Sequence, residues 1–255
     1  MNKLIRFVIT DVLKSKIIIG YTIFITCIAW GTFLLEDSPT KGIATLLNIV
    51  LLIVPLFSLV FSTIYIYNSS EFIELLLSQP IQRKTIWLSI FAGLMTCLVI
   101  SLAVAIGLPL LLFVDIDLAI MIMVMAALVA GVFTALATLC SILSRDKAKG
   151  IGYAVMAWLL LAFFFDVLIL FLLFQFADYP IEKPAVVLVS LNPIDLARIL
   201  ILLKLDISSM LGFTGAVFRS FFGNNLGMVM AILMLFLWII LPVWASTKIF
   251  GKKDL

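Results

Sequence analysis

The chain contains no histidine, and only 12% of its 255 residues are charged. Without histidine, a protein lacks the most common general base and the most common metal ligand. The sequence has no GxxxxGK[ST] loop, so it cannot bind and hydrolyse ATP in the manner of P-loop ATPases. It also has no GxSxG or HExxH motif and no cluster of carboxylates at metal-ligand spacing. These absences disfavour an enzyme.

Cysteine is scarce as well. Cys27, Cys97 and Cys140 all lie within apolar runs, and none is part of a CxxC pair. We expect them to behave as inert, small hydrophobic side chains. The formal net charge of +3 is modest and no polybasic stretch occurs, so nothing indicates a nucleic acid as a partner.

Apolar residues, by contrast, make up 65% of the chain and give it a mean hydropathy of +1.31. This composition excludes an ordinary soluble domain. A helix needs about 20 apolar residues to cross the hydrocarbon core of a bilayer. Six runs meet this need: 17–35, 43–67, 86–114, 118–143, 151–176 and 225–247. We predict an all-α integral membrane protein with six transmembrane helices, forming one membrane domain over residues 1–255.

Residues 1–16 differ from the spans because charged side chains occur throughout them. Leu4, Ile5, Val8 and Val12 form one apolar stripe at helical spacing. The pattern predicts an amphipathic helix that lies at the membrane surface. The charges, and the length of the apolar run that follows, argue against a cleavable signal peptide.

Lysine and arginine predict the orientation, because they are enriched in cytoplasmic loops. With the N-terminus inside, twelve of the 17 basic residues fall on the cytoplasmic side. Both termini are therefore predicted to be cytoplasmic. The basic hairpin 144–150 is then also inside, either as a second contact for a cytoplasmic partner or as an anchor that only fixes orientation.

A short polar segment, residues 68–85, separates the second run from the third. Asn68 or Ser70 could cap a helix there, Glu71 suits its first turn, and Pro80 ends it. The apolar side chains share one face at the spacing of an amphipathic helix: Phe72, Ile73 and Leu76. We interpret this helix as the lever through which a separate motor protein moves the spans.

The clearest single residue is Asp166, near the middle of the fifth run. An aspartate at that depth costs about 2.5–3.5 kcal/mol on insertion scales, so it should face protein or water. It is a candidate for a gate or a substrate path, together with Asn48. Alternatively, it is protonated, or bonded to Asn48, Gln175 or a backbone carbonyl, and only holds helices together.

The segment 177–224 lies outside on this topology and contains two apolar pieces that are too short and too charged to span. In the first, Asn192 is a predicted N-cap, Pro193 takes the first helical position, and Asp195 can pair with Arg198. The pieces are expected to be short helices that lie at the outer interface or enter the bundle without crossing it.

Met121 and Met125 share one face of the fourth run. Thioether sulfur suits Cu(I), so the two residues are weak candidates for metal ligands. Methionine is also common filler in apolar helices, which is the alternative. The same run carries Ala127, Gly131 and Ala135 at four-residue spacing, a seam that would let another helix approach closely.

Three stretches resemble a known family: residues 71–83, residues 144–150 leading into Asp166, and residues 191–198. Over most of its length, the chain resembles the permease subunits of type-2 ABC transporters. More narrowly, the three stretches are similar to the permease of the transporter that supports maturation of nitrous-oxide reductase.

The resemblance implies a multi-pass protein of the bacterial inner membrane that forms a homodimer and works with two cytoplasmic ABC ATPases. The helix predicted in segment 68–85 would be the coupling helix, which docks on the ATPase. Its contacts would come from the helix itself and from one residue that follows it: Glu71, Phe72, Ile73, Glu74, Leu75, Leu76, Leu77 and Arg83. ATP and Mg would be bound by the ATPase, and no cofactor by this chain. In the narrower family an accessory protein sits on the periplasmic side, and here its contacts would be Asn192, Asp195 and Arg198.

Three other functions remain open on the sequence. A type-2 exporter of a lipid, drug or polysaccharide would share the lever. A gating protein that transports nothing would use the lever and its outer helices only. A membrane enzyme would need a polar cluster that the sequence does not indicate.

Overall fold

The computed structural model of the protein describes residues 2–176, 187–205 and 225–252. All regular structure in these residues is helical, and no strand occurs among them. Six helical segments are long and apolar enough to cross a membrane. The predicted all-α membrane fold with six spans is therefore confirmed. Of the predicted outer segment, 177–186 and 206–224 lie outside the described residues.

The chain forms ten helices of eight or more residues within the described ranges. In order they are α1 (Asn2–Leu13), α2 (Lys16–Leu35), α3 (Pro39–Asn68), α4 (Ser70–Leu77), α5 (Arg83–Phe113), α6 (Ile116–Leu143), α7 (Lys147–Leu159), α8 (Phe165–Gln175), α9 (Pro193–Lys204) and α10 (Asn225–Lys252). A π-helical turn, Leu160–Phe164, joins α7 to α8, so that these two helices form one fifth span.

Two of the spans begin earlier than the apolar pattern predicts, because a side chain caps the first turn of each. Ser38 accepts a hydrogen bond from the amide of Lys41, so α3 begins at Pro39 and the predicted turn 36–42 is shorter than expected. Asp146 accepts a hydrogen bond from the amide of Ala148, so α7 begins inside the predicted hairpin. In both cases a side chain satisfies a free amide of the first turn, which hydropathy alone does not indicate.

α6 occupies the centre of the bundle and contacts α3, α5, α7, α9 and α10. The predicted small-residue seam lies on this helix. A Cβ atom added at Gly131 would come within 2.9 Å of Met95 Cε on α5 and within 3.2 Å of Ile239 Cδ1 on α10. The side-chain ends of Met95 and Ile239 therefore occupy the space that a side chain at position 131 would need.

α1 packs against α5 by means of its predicted apolar stripe. Val8 and Val12 are buried, and they join a second hydrophobic cluster, separate from the main core, that includes Ile90 and Leu94 of α5. The stripe that was expected to face the membrane surface is therefore covered in part by protein. α1 thus forms part of the end of the bundle from which α4 projects.

Gly93 is the residue that allows α1 to dock. A Cβ atom there would lie 2.6 Å from Val8 Cγ1 and 2.7 Å from Val8 Cβ. Because a β-branched side chain in a helix has little rotamer freedom, Gly93→Ala is expected to lower the free energy of unfolding by about 1–3 kcal/mol. Thermal unfolding in detergent measures this loss. The compensating pair Gly93→Ala with Val8→Ala should recover part of it, and unchanged unfolding of the single variant would contradict the packing.

Candidate functional site

The segment between the second and third spans forms a separate short helix, α4, as predicted. Ser69 is at once the C-cap of α3 and the N-cap of α4, so a single residue separates the two helices. The predicted caps are wrong, because Ser69 takes this position without a side-chain hydrogen bond. Asn68 instead accepts a hydrogen bond from Lys147 Nζ at 2.7 Å. The acidic residue of the first turn, Glu71, is placed as expected.

The inner face of α4 is apolar and rests on the bundle. Ile73 and Leu76 are buried in the same cluster as Trp87 of α5 and Phe250 of α10. Phe72 stacks on Phe7 of α1 with ring centroids 4.9 Å apart. α4 is therefore seated on several helices at once, and a force on it would be shared among them.

The outer face of α4 is exposed and carries both apolar and acidic groups. Leu75 is 66% exposed, and Glu71 and Glu74 beside it are exposed as well. Arg83, also exposed, begins α5 at the far end of the loop. An exposed leucine beside two carboxylates has the composition of a docking surface rather than of a solvated helix face.

Three hydrogen bonds hold the end of α3 to its neighbours. The Tyr65 hydroxyl donates to Asp11 Oδ2 of α1 at 3.0 Å, and the Tyr67 hydroxyl donates to the Ser144 carbonyl at 2.9 Å. The third is the bond between Lys147 and Asn68 described above. The hairpin 144–150 is thus joined to the base of α4, and both of its predicted roles, partner contact and anchor, stay predictions.

A pocket of about 350 Å³ lies between α4 and the bundle. Its lining includes Glu74 of α4, Arg145 of the hairpin, Tyr67 of α3 and the aromatic pair Trp87 and Phe250. These two rings stack with centroids 4.5 Å apart. The inner side of α4 is therefore not packed solidly along its whole length, so that the helix has space in which to move.

A second polar site lies where α8 meets α9. Arg198 Nη1 is 3.0 Å from Asp195 Oδ1 and 3.4 Å from Asp166 Oδ2. Asp166 and Arg198 have side chains about one third exposed, at 36% and 32%, whereas that of Asp195 is 8% exposed. The aspartate in the fifth span is therefore neutralised by an arginine from the outer segment, and the predicted pair of Asp195 with Arg198 is confirmed.

Asn192 completes this charge cluster. Its Oδ1 accepts a hydrogen bond from the amide of Ile194, which confirms the predicted N-cap of α9. Its Nδ2 donates to Asp195 Oδ2 at 2.7 Å and to the carbonyl of Leu161 at 2.8 Å. Leu161 lies in the π-helical turn, and such turns are frequent at functional sites. The same side chain therefore caps α9 and ties it to the fifth span.

The electrostatics of the cluster are unbalanced. Burial, reinforced by the negative charge of Asp166, raises the pKa of Asp195 above its ordinary value, while Arg198 and the hydrogen bond from Asn192 act in the opposite direction. One cation thus faces two carboxylates in a partly buried site. Protonation of Asp195 would remove this imbalance.

Comparison with known families shows what kind of protein carries these two sites. The family model described as ABC-2 family transporter protein matches residues 36–255. The chain belongs to the ABC-2 transporter family. It is accordingly a multi-pass membrane subunit of the permease type, which associates with an ABC ATPase. A search of curated proteins finds no significant match.

The charge cluster of this permease brings together residues that the sequence indicated separately. The partner of Asp166 was wrongly expected among Asn48, Gln175 and backbone carbonyls. Asn48 is exposed on α3, and within the described residues no hydrogen bond joins it to Asp166. The predicted role of Asn48 at a gate or substrate path stays a prediction. The π-helical turn contains neither proline nor glycine, so it could not be predicted from the sequence.

The candidate metal ligands of the permease lie inside the bundle. Met125 is buried in the main core, and Met121 is half-buried and packs against that core. Cys97 and Cys140 are buried too, whereas Cys27 is exposed. In the described part of the chain, no three Cys, Asp or Glu side chains lie close enough to hold a metal ion. Both methionines thus pack in or against the main core, and their role as metal ligands stays a prediction.

Proposed function

We propose that this permease converts ATP-driven movements of a separate ATPase into tilting of its spans, and that α4 is the coupling helix. The exposed face of α4 carries the proposal, because Leu75 and the neighbouring Glu71 and Glu74 are exposed in the described part of the chain. Arg83 extends this surface at the start of α5. The buried face, with Ile73 and Leu76, transmits the force to the bundle.

The geometry around α4 supports this mechanism. The pocket behind the helix gives it room to shift, and the hydrogen bonds at Tyr65, Tyr67 and Asn68 would carry the shift to α1, α3 and α7. A conformational change needs contacts whose free energy differs between states. Docking and release of the outer face of α4 would supply that difference.

The outer response is proposed to involve the charge cluster. Asp166 belongs to a span, whereas Arg198 and Asp195 belong to α9, which is largely buried within the bundle. Relative movement of α8 and α9 would stretch or break the ion pair, so that the cluster acts as a gate between two helix arrangements. Arg198 is the most exposed of the predicted contacts for an accessory protein outside.

The complete assembly is proposed to be a homodimer with two ATPases in the bacterial inner membrane. Among the described residues, most of the fifth span is left uncovered, and exposed aromatic rings such as Phe163, Phe164 and Phe171 line it. A second copy of the chain would cover an apolar face of this kind. ATP and Mg would be bound by the ATPase subunits.

The resemblance of three stretches to the permease of nitrous-oxide reductase maturation supports a finer proposal, assembly of the copper centre of that enzyme. A strain that lacks this permease should then produce nitrous-oxide reductase with less copper, as measured by metal quantification of the purified enzyme. A fully loaded enzyme would favour a type-2 exporter instead.

The coupling role is tested by changing the outer face of α4. Leu75→Ser, and separately Glu71→Lys with Glu74→Lys, should weaken binding of the ATPase at least about tenfold, which corresponds to loss of about 1.4 kcal/mol. Co-purification and stimulated ATP hydrolysis in proteoliposomes measure the effect. Leu35→Ser and Asp117→Lys are matched controls, since both residues are exposed at the opposite ends of spans. Undiminished coupling in the α4 variants would contradict the proposal.

A further inference from the structure

Three spans meet at a group of buried polar side chains beneath α4. Trp87 of α5 donates its indole N–H to Ser246 Oγ of α10 at 3.0 Å, and Ser246 Oγ lies 3.1 Å from Thr138 Oγ1 of α6. All three side chains are buried. Trp87 also belongs to the hydrophobic cluster that contains the inner face of α4. A displacement of α4 would therefore act on this group through Trp87.

The hydrogen bond between α6 and α10 can break without leaving a donor unsatisfied. The Ser246 hydroxyl is also 3.0 Å from the Val243 carbonyl of its own helix, and the Thr138 hydroxyl is 2.7 Å from the Ala135 carbonyl of its own helix. Each hydroxyl carries one hydrogen. When both donate within their own helices, every donor has an acceptor and no hydrogen bond joins these two side chains. Loss of this link between α6 and α10 therefore carries no desolvation penalty.

The hydrogen bond between α5 and α10 has no such substitute. The indole of Trp87 has a single N–H, and Trp87 is only 3% exposed, so water is no ready replacement for Ser246 as its acceptor. If α5 and α10 separated here, a donor would be left unsatisfied inside the bundle. The same two helices are joined a second time, because Trp87 stacks on Phe250 with ring centroids 4.5 Å apart. Of the two hydrogen bonds of Ser246 to other helices, only the one to α5 is costly to break.

Further along α6, the ends of two side chains contact it from α5 and α10. Met95 Cε of α5 and Ile239 Cδ1 of α10 both lie over Gly131, at 2.9 Å and 3.2 Å from the position that a Cβ atom would take. Methionine adapts its shape through three rotatable bonds, and apolar contact has no preferred direction. Both helices can therefore shift along α6 at this point without breaking a directional contact.

We propose that α5 and α10 move as one unit and slide along α6 when the ATPase acts on α4. The inference rests on the proposed coupling role of α4, and it specifies which spans move together. Trp87 and Ser246 are positioning residues that hold the unit together, whereas Thr138 forms a contact with it that is exchanged during the movement. Sliding of packed helices over small distances is a common mode of conformational change.

Two cross-links in the full-length permease, with its three native cysteines replaced by alanine, test which helices move relative to each other. Thr138→Cys with Ser246→Cys places two thiols where the hydroxyl oxygens are 3.1 Å apart, so that a disulfide joins α6 to α10. Met95→Cys with Ile239→Cys, linked by a short bifunctional thiol reagent, joins α5 to α10. ATP hydrolysis stimulated by the permease in proteoliposomes should fall at least about tenfold with the first cross-link and recover on reduction. It should stay within about twofold with the second.

Either opposite result would overturn the proposal. Undiminished stimulation with α6 joined to α10 would show that these helices need not slide, and loss of stimulation with α5 joined to α10 would show that these two must separate. Failure of the proposed coupling function looks different. The ATPase would then be neither bound nor stimulated by the reduced variants, in which no cross-link is present.

Thermal unfolding in detergent supplies a measurement that needs no ATPase. Ser246→Ala removes the acceptor of Trp87 and should lower the Tm by about 3–6 °C. Thr138→Val should lower it by at most about 2 °C, because the Ser246 hydroxyl then donates to the Val243 carbonyl. In a Trp87→Phe background the loss caused by Ser246→Ala should be at most about half as large, since the indole donor is absent. Equal losses for Ser246→Ala and Thr138→Val, or a loss for Ser246→Ala that does not depend on Trp87, would contradict the unit of α5 and α10.

Discussion

Arg198→Gln is expected to lower the free energy of unfolding by about 2–3 kcal/mol and to abolish coupled activity. The change leaves Asp166 and Asp195 facing each other without the cation that lies 3.4 Å and 3.0 Å from them. Breaking a fully buried pair costs about 3–5 kcal/mol. The lower figure applies here because Asp166 and Arg198 are about one third exposed, and solvent screens part of the interaction. Unfolding in detergent and ATPase stimulation in proteoliposomes measure the two effects.

The pH dependence of this defect distinguishes an electrostatic cause from lost packing. Because the pKa of Asp195 is already raised in the fold, and Arg198 opposes that rise, removal of Arg198 should raise it further. A folded-state pKa above the unfolded value gives a destabilisation that grows as pH increases. The loss should therefore be larger at about pH 8 than at about pH 5. A defect independent of pH would contradict the charge argument.

Neutralising the opposing carboxylate provides the control. Asp166→Asn should preserve folding but impair transport, and the double variant Asp166→Asn with Arg198→Gln should be more stable than Arg198→Gln alone. Groups in direct contact commonly show coupling energies of about 0.5–3 kcal/mol. Full activity of Asp166→Leu would remove Asp166 from the proposed gate.

Gly150→Ala is expected to destabilise the end of the bundle on which α4 rests by about 1–3 kcal/mol. A Cβ atom at position 150 would overlap the Tyr67 hydroxyl and would lie 2.5 Å from two of its ring carbons. Because the ring is rigid, Tyr67 would have to move and would lose its hydrogen bond to the Ser144 carbonyl. Thermal unfolding should report the loss, and coupling to the ATPase should fall with it.

Gly152→Ala is the matched control for this change. It lies two residues further along α7, where an added Cβ meets nothing within 4 Å. Because alanine favours the helix over glycine by about 0.5–1 kcal/mol, Gly152→Ala should be neutral or stabilising. If both variants had the same free energy of unfolding, the overlap between position 150 and Tyr67 would not be the cause of the destabilisation.

The spans and the short helix α4 could be predicted from the sequence because hydropathy and helical spacing are local properties. The apolar runs gave six spans, and Phe72, Ile73 and Leu76 gave the inner face of α4. Exact helix starts depended on side-chain caps at Ser38 and Asp146, which hydropathy does not register. Gly93 and Gly150 could not be assigned a role either, because their importance comes from a residue of another helix.

The charge cluster shows the limit of sequence reasoning more sharply. Asp166 was identified by the cost of a charge within a span, and Asn192, Asp195 and Arg198 by the signature of a helix start. Nothing in the sequence joined the two sets, because they are separated by about 30 residues and meet only when α9 packs beside the fifth span. The π-helical turn, whose Leu161 carbonyl accepts from Asn192, was equally invisible.

The single-residue junction at Ser69 makes the two connections of α4 to the spans unequal in length. Since each residue contributes only two soft dihedrals, the junction between α3 and α4 has very little conformational freedom. Five residues, 78–82, separate α4 from α5 and can absorb rotation. A push on α4 should thus rotate the second span by nearly the same angle as α4. The third span should rotate by a smaller angle, so that the two spans separate rather than tilt together.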